Sequence, residues 1–347
     1  MQSIDYNKLQ SQTFNYLRFP LIVLILTIHT IDLPHEANSV FSVNIGVIIR
    51  YVFATFGVPI FFIISGYYFF YSKNDTDTFN KESYISKLKK RVRTILVPYL
   101  LWNIFAILIF QCVQMSKGNT YIHNGFDLLK MFTYWLGASN PYTPANYPLW
   151  YMRDLMFLFV LSPLIYIMLK YLKVWPLLIL GGLYFFNIGI GDPFLFSEMV
   201  FFFPLGAYFA IHKKNIIELC NKYTKLSYIL FIALIVFNLI FKISVIGKIT
   251  TFVGVVALCN LVSYYLAKGK IKENKFYSDA SFFLYAFHGV PIMILNNRLS
   301  DMLPKTDWAY TLNFFASTII ITLLGLGLYY VMKKIMPKFT AIITGGR

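Results

Sequence analysis

Tyr16-Leu-Arg-Phe-Pro-Leu-Ile-Val-Leu-Ile-Leu-Thr-Ile-His29 is an apolar run that carries an arginine and a histidine eleven positions apart. Ionisable groups at membrane depth are costly, so Arg18 and His29 are functional candidates from the outset. On a helix rising about 1.5 Å per residue, eleven steps separate them by roughly 16 Å, about half a hydrocarbon core. With Arg18 at the inner interface, His29 lies near or past the midplane, where a group can be reached from both faces.

Similar runs recur along the chain. Of its 347 residues 58% are hydrophobic and 13% charged, well below the charged quarter of a soluble protein. Ten apolar spans can be marked, at roughly 17–34, 46–71, 95–115, 149–169, 174–191, 197–212, 226–246, 249–267, 278–298 and 309–332. The expected fold is all-α: one polytopic transmembrane helix bundle of about ten helices over residues 1–347, core about 10–335, with no separate soluble domain. The polar first 16 residues and the charges in the first run argue against a cleaved signal peptide.

The net charge of +16 does not call for nucleic acid. With the N-terminus inside, roughly three-quarters of the lysines and arginines fall in inner segments, which places both termini in the cytoplasm. Anionic membrane lipids are natural neighbours of such a surface. Cys112, Cys220 and Cys259 are odd in number and scattered, so neither a disulfide framework nor a metal site is expected.

Several polar groups stand out inside this apolar background. His29 has an imidazole that titrates near neutrality and can take a proton from a hydroxyl. Asp32, three residues on, either orients it or sits in outer water. The inner loop 72–94 ends in Lys87-Leu-Lys-Lys-Arg-Val-Arg93. Such a cluster is a positive-inside anchor, a lipid site, or an anion site whose guanidinium forks hold phosphate oxygens. Pro148-Leu-Trp-Tyr-Met-Arg-Asp154, below the long outer loop 116–148, suits a sugar: Trp150 offers an aromatic face, while Arg153 and Asp154 offer hydrogen bonds. Glu198 is the expected charge partner of Arg153. Within the loop, 126–135 has the spacing of a short interfacial helix. His288, midway along the ninth span, either packs helices or meets substrate. Ser65-Gly66 reads as a close-packing site.

These pieces, in this order, resemble the acyltransferase 3 family of integral-membrane acyltransferases. The resemblance rests on Arg18-x10-His29, Phe61-Phe-x-x-Ser65-Gly66, the basic run before Pro98-Tyr99, Leu149-Trp150-Tyr151, Phe202-Phe203-Pro204-Leu205-Gly206 and Tyr285-x-x-His288. It implies an O-acyltransferase, most often an O-acetyltransferase, in the inner or plasma membrane. The donor would be cytoplasmic acetyl-CoA and the acceptor a hydroxyl of an extracytoplasmic glycan or lipid-linked sugar, with no metal. Carried over, His29 is the catalytic histidine, as base or acyl acceptor, and Arg18 its partner. Lys90, Arg91 and Arg93 cover the family's CoA-phosphate contacts, although its two arginines three apart are not matched in register. Trp150, Arg153, Asp154, Glu198 and His288 are the candidates on the acceptor side. A homo-oligomer is compatible with the sequence. The rival reading is a transporter, flippase or polysaccharide-export subunit in which the buried charges only pair; matched broken helices in two inverted halves would mark it, and no such pair is evident.

Overall fold

The computed structural model describes residues 5–30, 41–72, 79–120, 144–188 and 197–346. Asp32, the interfacial segment 126–135 and most of loop 116–148 lie outside these residues. Within them the chain is helical throughout, with no strand. Seven helices are long and apolar enough to cross a membrane, a bent pair makes an eighth, and two shorter apolar helices lie at the fifth and sixth expected spans. Ten is thus an approximate count, but every marked run carries a helix.

Helix α1, Tyr6–Ile28, starts eleven residues before the expected position. The Asp5 side chain accepts from the backbone N–H of Asn7 and Lys8, so the orphan donors of the first turn are satisfied. Its polar first turns are also packed: Gln10 is buried and its Oε1 accepts the backbone N–H of Ile216 at 2.6 Å. Arg18 therefore sits in mid-helix, and His29 is the C-cap, not a residue deep within the helix.

Helix α2, Ile45–Phe70, is interrupted by a π-helical turn at Ile49–Phe53 and a tight turn at Ala54–Phe56. Helix α3, Lys81–Met115, has a π-helical turn at Val92–Leu96. Its first part, Lys81–Arg91, buries no residue. The expected loop 72–94 thus ends as a helix, with the basic run on its last turns. Asn80 caps it by accepting from Ser83 N–H. Helix α4 is Tyr147–Leu172, α5 Trp175–Phe185 and α6 Ser197–Ile211. A short α7, Ile216–Lys222, leads to α8, Thr224–Phe241, and α9, Ser244–Ala267.

The ninth span is broken. Helices α10, Lys275–Phe287, and α11, Gly289–Met302, meet at 65° on either side of His288. Pro291 supplies the cause: it has no N–H to donate back to Phe287 and its ring crowds that carbonyl. Helix α12, Asp307–Ile335, and a returning α13, Pro337–Ile343, complete the chain, with Trp102 Nε1 donating to Ile343 O at 2.9 Å.

Helices α2 and α6 approach each other closely. A Cβ on Gly66 would fall on the Phe203 carbonyl, and one on Gly206 would fall on the Ile63 carbonyl. Small residues let two backbones approach in this way where lipid offers no hydrophobic drive. The outside of the bundle is apolar: Leu164 is 63% exposed, Ile229 67% and Leu323 63%. Contiguous apolar surface on this scale needs lipid around it, so this is a multi-pass membrane protein.

Candidate active site

A cavity of about 310 Å³ runs along one side of α1, lined by both Arg18 and His29. Because these residues share a helix eleven positions apart, the cavity extends along roughly 16 Å of its axis. Arg91 of α3 joins Arg18 in the wall; aromatic panels come from Phe61 and Tyr68 of α2, Trp150 and Tyr151 of α4, and Tyr285 of α10. Its described lining contains two guanidinium groups and no carboxylate.

Arg18 is half-buried, and among the described residues no hydrogen bond engages its guanidinium; its electrostatic neighbours are Tyr68, Asp279 and Tyr151. Arg91 is also half-buried and lies over the rings of Phe69 and Phe159, at 5.8 and 5.1 Å. Stacking holds the guanidinium in place while its N–H donors stay available. Lys90 and Arg93, by contrast, are exposed and do not line the cavity. The helical phase of α3 turns Arg91 inward and its basic neighbours outward.

At the other extremity the His29 ring meets Tyr147 edge-on at 4.9 Å and lies 5.3 Å from the His288 ring. Among the described residues the His29 imidazole accepts and donates no hydrogen bond. His288 is fully buried, its Nδ1 is 3.2 Å from Leu284 O, and its Nε2 has no partner among the described residues. Donation from Nδ1 to that carbonyl leaves Nε2 as an acceptor lone pair. The sharp bend beside His288 is what brings α10 and α11 around His29. Ser65, expected only as a packing residue, also lines the cavity, with Oγ 2.9 Å from Tyr151 Oη. Tyr285 Oη donates to Pro148 O at 2.7 Å, which ties the start of α4 to α10.

Arg153 and Asp154 do not line this cavity. They form a buried ion pair with each other, Nη2 to Oδ1 at 2.8 Å. Together with Arg91, Phe157 and Val160 they line an apolar groove between α3 and α4 of about 580 Å³. Residues assigned to the acceptor side and to the donor side therefore share one groove. Glu198 is not in this group: it lies within electrostatic reach of Lys248 and Tyr184, and Lys248 in turn donates to Tyr184 O at 2.8 Å.

The Asp154 pair carries a stability prediction. Its second oxygen, Oδ2, has no described partner, so Arg153→Met leaves a buried carboxylate without its cation. The expected loss is about 3–5 kcal/mol, and the double change Arg153→Met with Asp154→Leu should recover most of it. Thermal unfolding of the three proteins in detergent checks this; equal losses in the single and double variants would contradict it.

Two residues next to His29 went unnoticed in the sequence. Arg50, 4% exposed, donates from Nε to Thr27 O at 3.0 Å, and from Nη2 to Thr30 O at 2.7 Å and Thr30 Oγ1 at 3.0 Å. Asn296 Nδ2 donates to His29 O at 3.0 Å. An arginine five residues into the apolar run 46–71 was the available signal for Arg50. Nothing in the local sequence distinguishes Asn296 from its neighbour Asn297. Among the described residues no group of three or more His, Cys, Asp or Glu could hold a metal.

The arrangement places two guanidinium groups and an imidazole in the wall of one largely apolar cavity. Guanidinium groups are suited to hold phosphate or carboxylate oxygens. The acyltransferase 3 family, described as an acyltransferase domain, matches residues 12–330. The chain is 24% identical over 307 residues to the succinoglycan biosynthesis protein ExoH of Rhizobium meliloti (strain 1021), covering 84% of this chain and 79% of that relative. No solved structure matches.

Proposed function

The chain belongs to the acyltransferase 3 family, and from that premise we propose that it moves an acetyl group from cytoplasmic acetyl-CoA to a carbohydrate hydroxyl. The acceptor is an extracytoplasmic or lipid-linked glycan, in keeping with a relative named for succinoglycan biosynthesis. The observation that carries the reading is the single cavity lined by Arg18, Arg91 and His29.

The chemistry follows from that lining. Both termini lie in the cytoplasm of a plasma-membrane protein, by the positive-inside asymmetry, so donor enters from the Arg18 side. Phosphate oxygens of CoA take hydrogen bonds from the available guanidinium donors, each worth about 1.5–3 kcal/mol. The pantetheine arm then spans roughly 16 Å to bring the thioester to His29. The acceptor hydroxyl loses its proton to the imidazole as its oxygen attacks the thioester carbonyl. Collapse of the tetrahedral adduct breaks the C–S bond, and the proton passes from His29 to the leaving sulfur. The products are an O-acetyl ester and CoA thiol, with no net change at the histidine.

Arg18→Gln should raise the KM for acetyl-CoA roughly 10- to 100-fold, the loss of one charge-assisted contact. The KM for acceptor should stay within about twofold, because uniform binding to the donor alone is lost. Initial rates in proteoliposomes at varied donor and acceptor check this. An unchanged donor KM would remove Arg18 from the donor site. The function itself is tested by comparing glycan from cells with and without the gene: one O-acetyl ester should be missing by NMR, and an identical ester pattern contradicts the reading.

A further inference from the structure

A helix ends with up to four carbonyls that lack an intrahelical partner, and such ends fray when nothing meets them. At the end of α1 these carbonyls belong to the residues around His29, and they are met by side chains from other helices. Arg50 reaches Thr27 O, Thr30 O and Thr30 Oγ1, and Asn296 reaches His29 O. Arg50 comes from the π-helical turn of α2 and Asn296 from α11, beyond the 65° bend. Arg50 is itself fixed, with its guanidinium 5.7 Å from the Phe314 ring of α12. Thus the backbone around His29 is anchored to two other helices, α2 and α11, with a ring of α12 beside the Arg50 guanidinium.

A buried arginine is expensive, and Thr30 Oγ1 already donates to Thr27 O at 2.9 Å, so meeting that carbonyl does not by itself call for one. A fork with several donors does something more specific: it fixes two carbonyls three residues apart at once and with them the rotation of the turn between. The π-helical turn is what directs Arg50 toward α1, and such turns are characteristic of functional sites. We infer that Arg50 and Asn296 are positioning residues that set the depth and ring orientation of His29 against the thioester. This inference rests on the reading of His29 as the base, and it adds two residues that never touch donor or acceptor.

The effect should appear in turnover, because a misplacement on the order of 1 Å costs about 10²-fold. Arg50→Gln should lower kcat about 10²-fold per folded enzyme in proteoliposomes while KM for acetyl-CoA stays within about twofold. Asn296→Asp, which keeps the shape and removes the donor, should lower it about tenfold. Arg50→Lys, which keeps the charge and one contact, should fall between Arg50→Gln and wild type. A second readout needs no reaction: ¹⁵N-histidine spectra in nanodiscs, with the His29 signal assigned by His29→Gln. In Arg50→Gln that signal should shift or broaden while the His212 signal stays in place. An unmoved His29 signal, or unchanged kcat per folded enzyme, overturns the inference. Loss of folded Arg50→Gln protein shifts the decision to Asn296→Asp and Arg50→Lys, where an unmoved signal overturns it equally. Absence of acetyl transfer in the wild type would sink the function and leave the spectra to decide the positioning.

Discussion

Replacing His29 by alanine is expected to reduce acetyl transfer about 10²- to 10⁴-fold, the range of a positioned general base, with the fold intact. The second half of that expectation comes from the structure. The imidazole makes no hydrogen bond to a described residue, and its neighbours are ring contacts with Tyr147 and His288 at 4.9 and 5.3 Å. Removing it deletes aromatic contacts worth about 0.5–1.5 kcal/mol, while Asn296 and Arg50 continue to hold the backbone. Rates per milligram of monodisperse protein, beside a melting curve, separate the two effects. A rate within tenfold of wild type would show that the proton goes elsewhere.

The largest stability effect is expected at Gly206. A Cβ there meets the Ile63 carbonyl, and its counterpart Gly66 meets the Phe203 carbonyl. Both obstacles are backbone atoms that cannot rotate aside, so any side chain forces α2 and α6 apart. Gly206→Leu should exceed about 4 kcal/mol, in the range reserved for severe core damage, and yield no monodisperse protein. Gly327→Ala on α12, where nothing lies within 4 Å, should leave the melting temperature unchanged or raise it. Separation of α2 and α6 would also carry away Ser65, Phe61 and Tyr68, one wall of the cavity. A folded Gly206→Leu protein with normal thermal stability would contradict the packing.

Much of the fold was legible because lipid imposes one rule on every span: backbone groups must pair within the segment, so long apolar runs become helices. What apolarity could not show was where helices begin when polar residues are packed. Gln10 and Thr13 are buried against neighbouring helices, so α1 extends eleven residues before its apolar part. That shift changed the meaning of the Arg18 and His29 spacing: the histidine is a helix cap beside a bend, held from outside, and the arginine lies mid-helix. The bend at His288 was not legible: Pro20, Pro163 and Pro204 also lie inside helices, and those run on without a break, so Pro291 alone did not single out the ninth span. Lys90 and Arg93 separate from Arg91 only through helical phase, which a π-turn disturbs and a motif does not record. Arg153 pairs with Asp154 next door, whereas Glu198 lies within electrostatic reach of Lys248 and Tyr184; such pairings are three-dimensional facts.

The central claim is that one cavity carries an acyl group from a cytoplasmic donor to His29 and on to a sugar hydroxyl. Its most direct test uses inside-out membrane vesicles with purified glycan acceptor sealed in the lumen and radiolabelled acetyl-CoA added outside, comparing wild type with His29→Ala. The account predicts base-labile label on the glycan with wild type and about 10²-fold less or lower with the variant. Equal labelling by both proteins, or none by the wild type despite folded protein and intact donor, would contradict it.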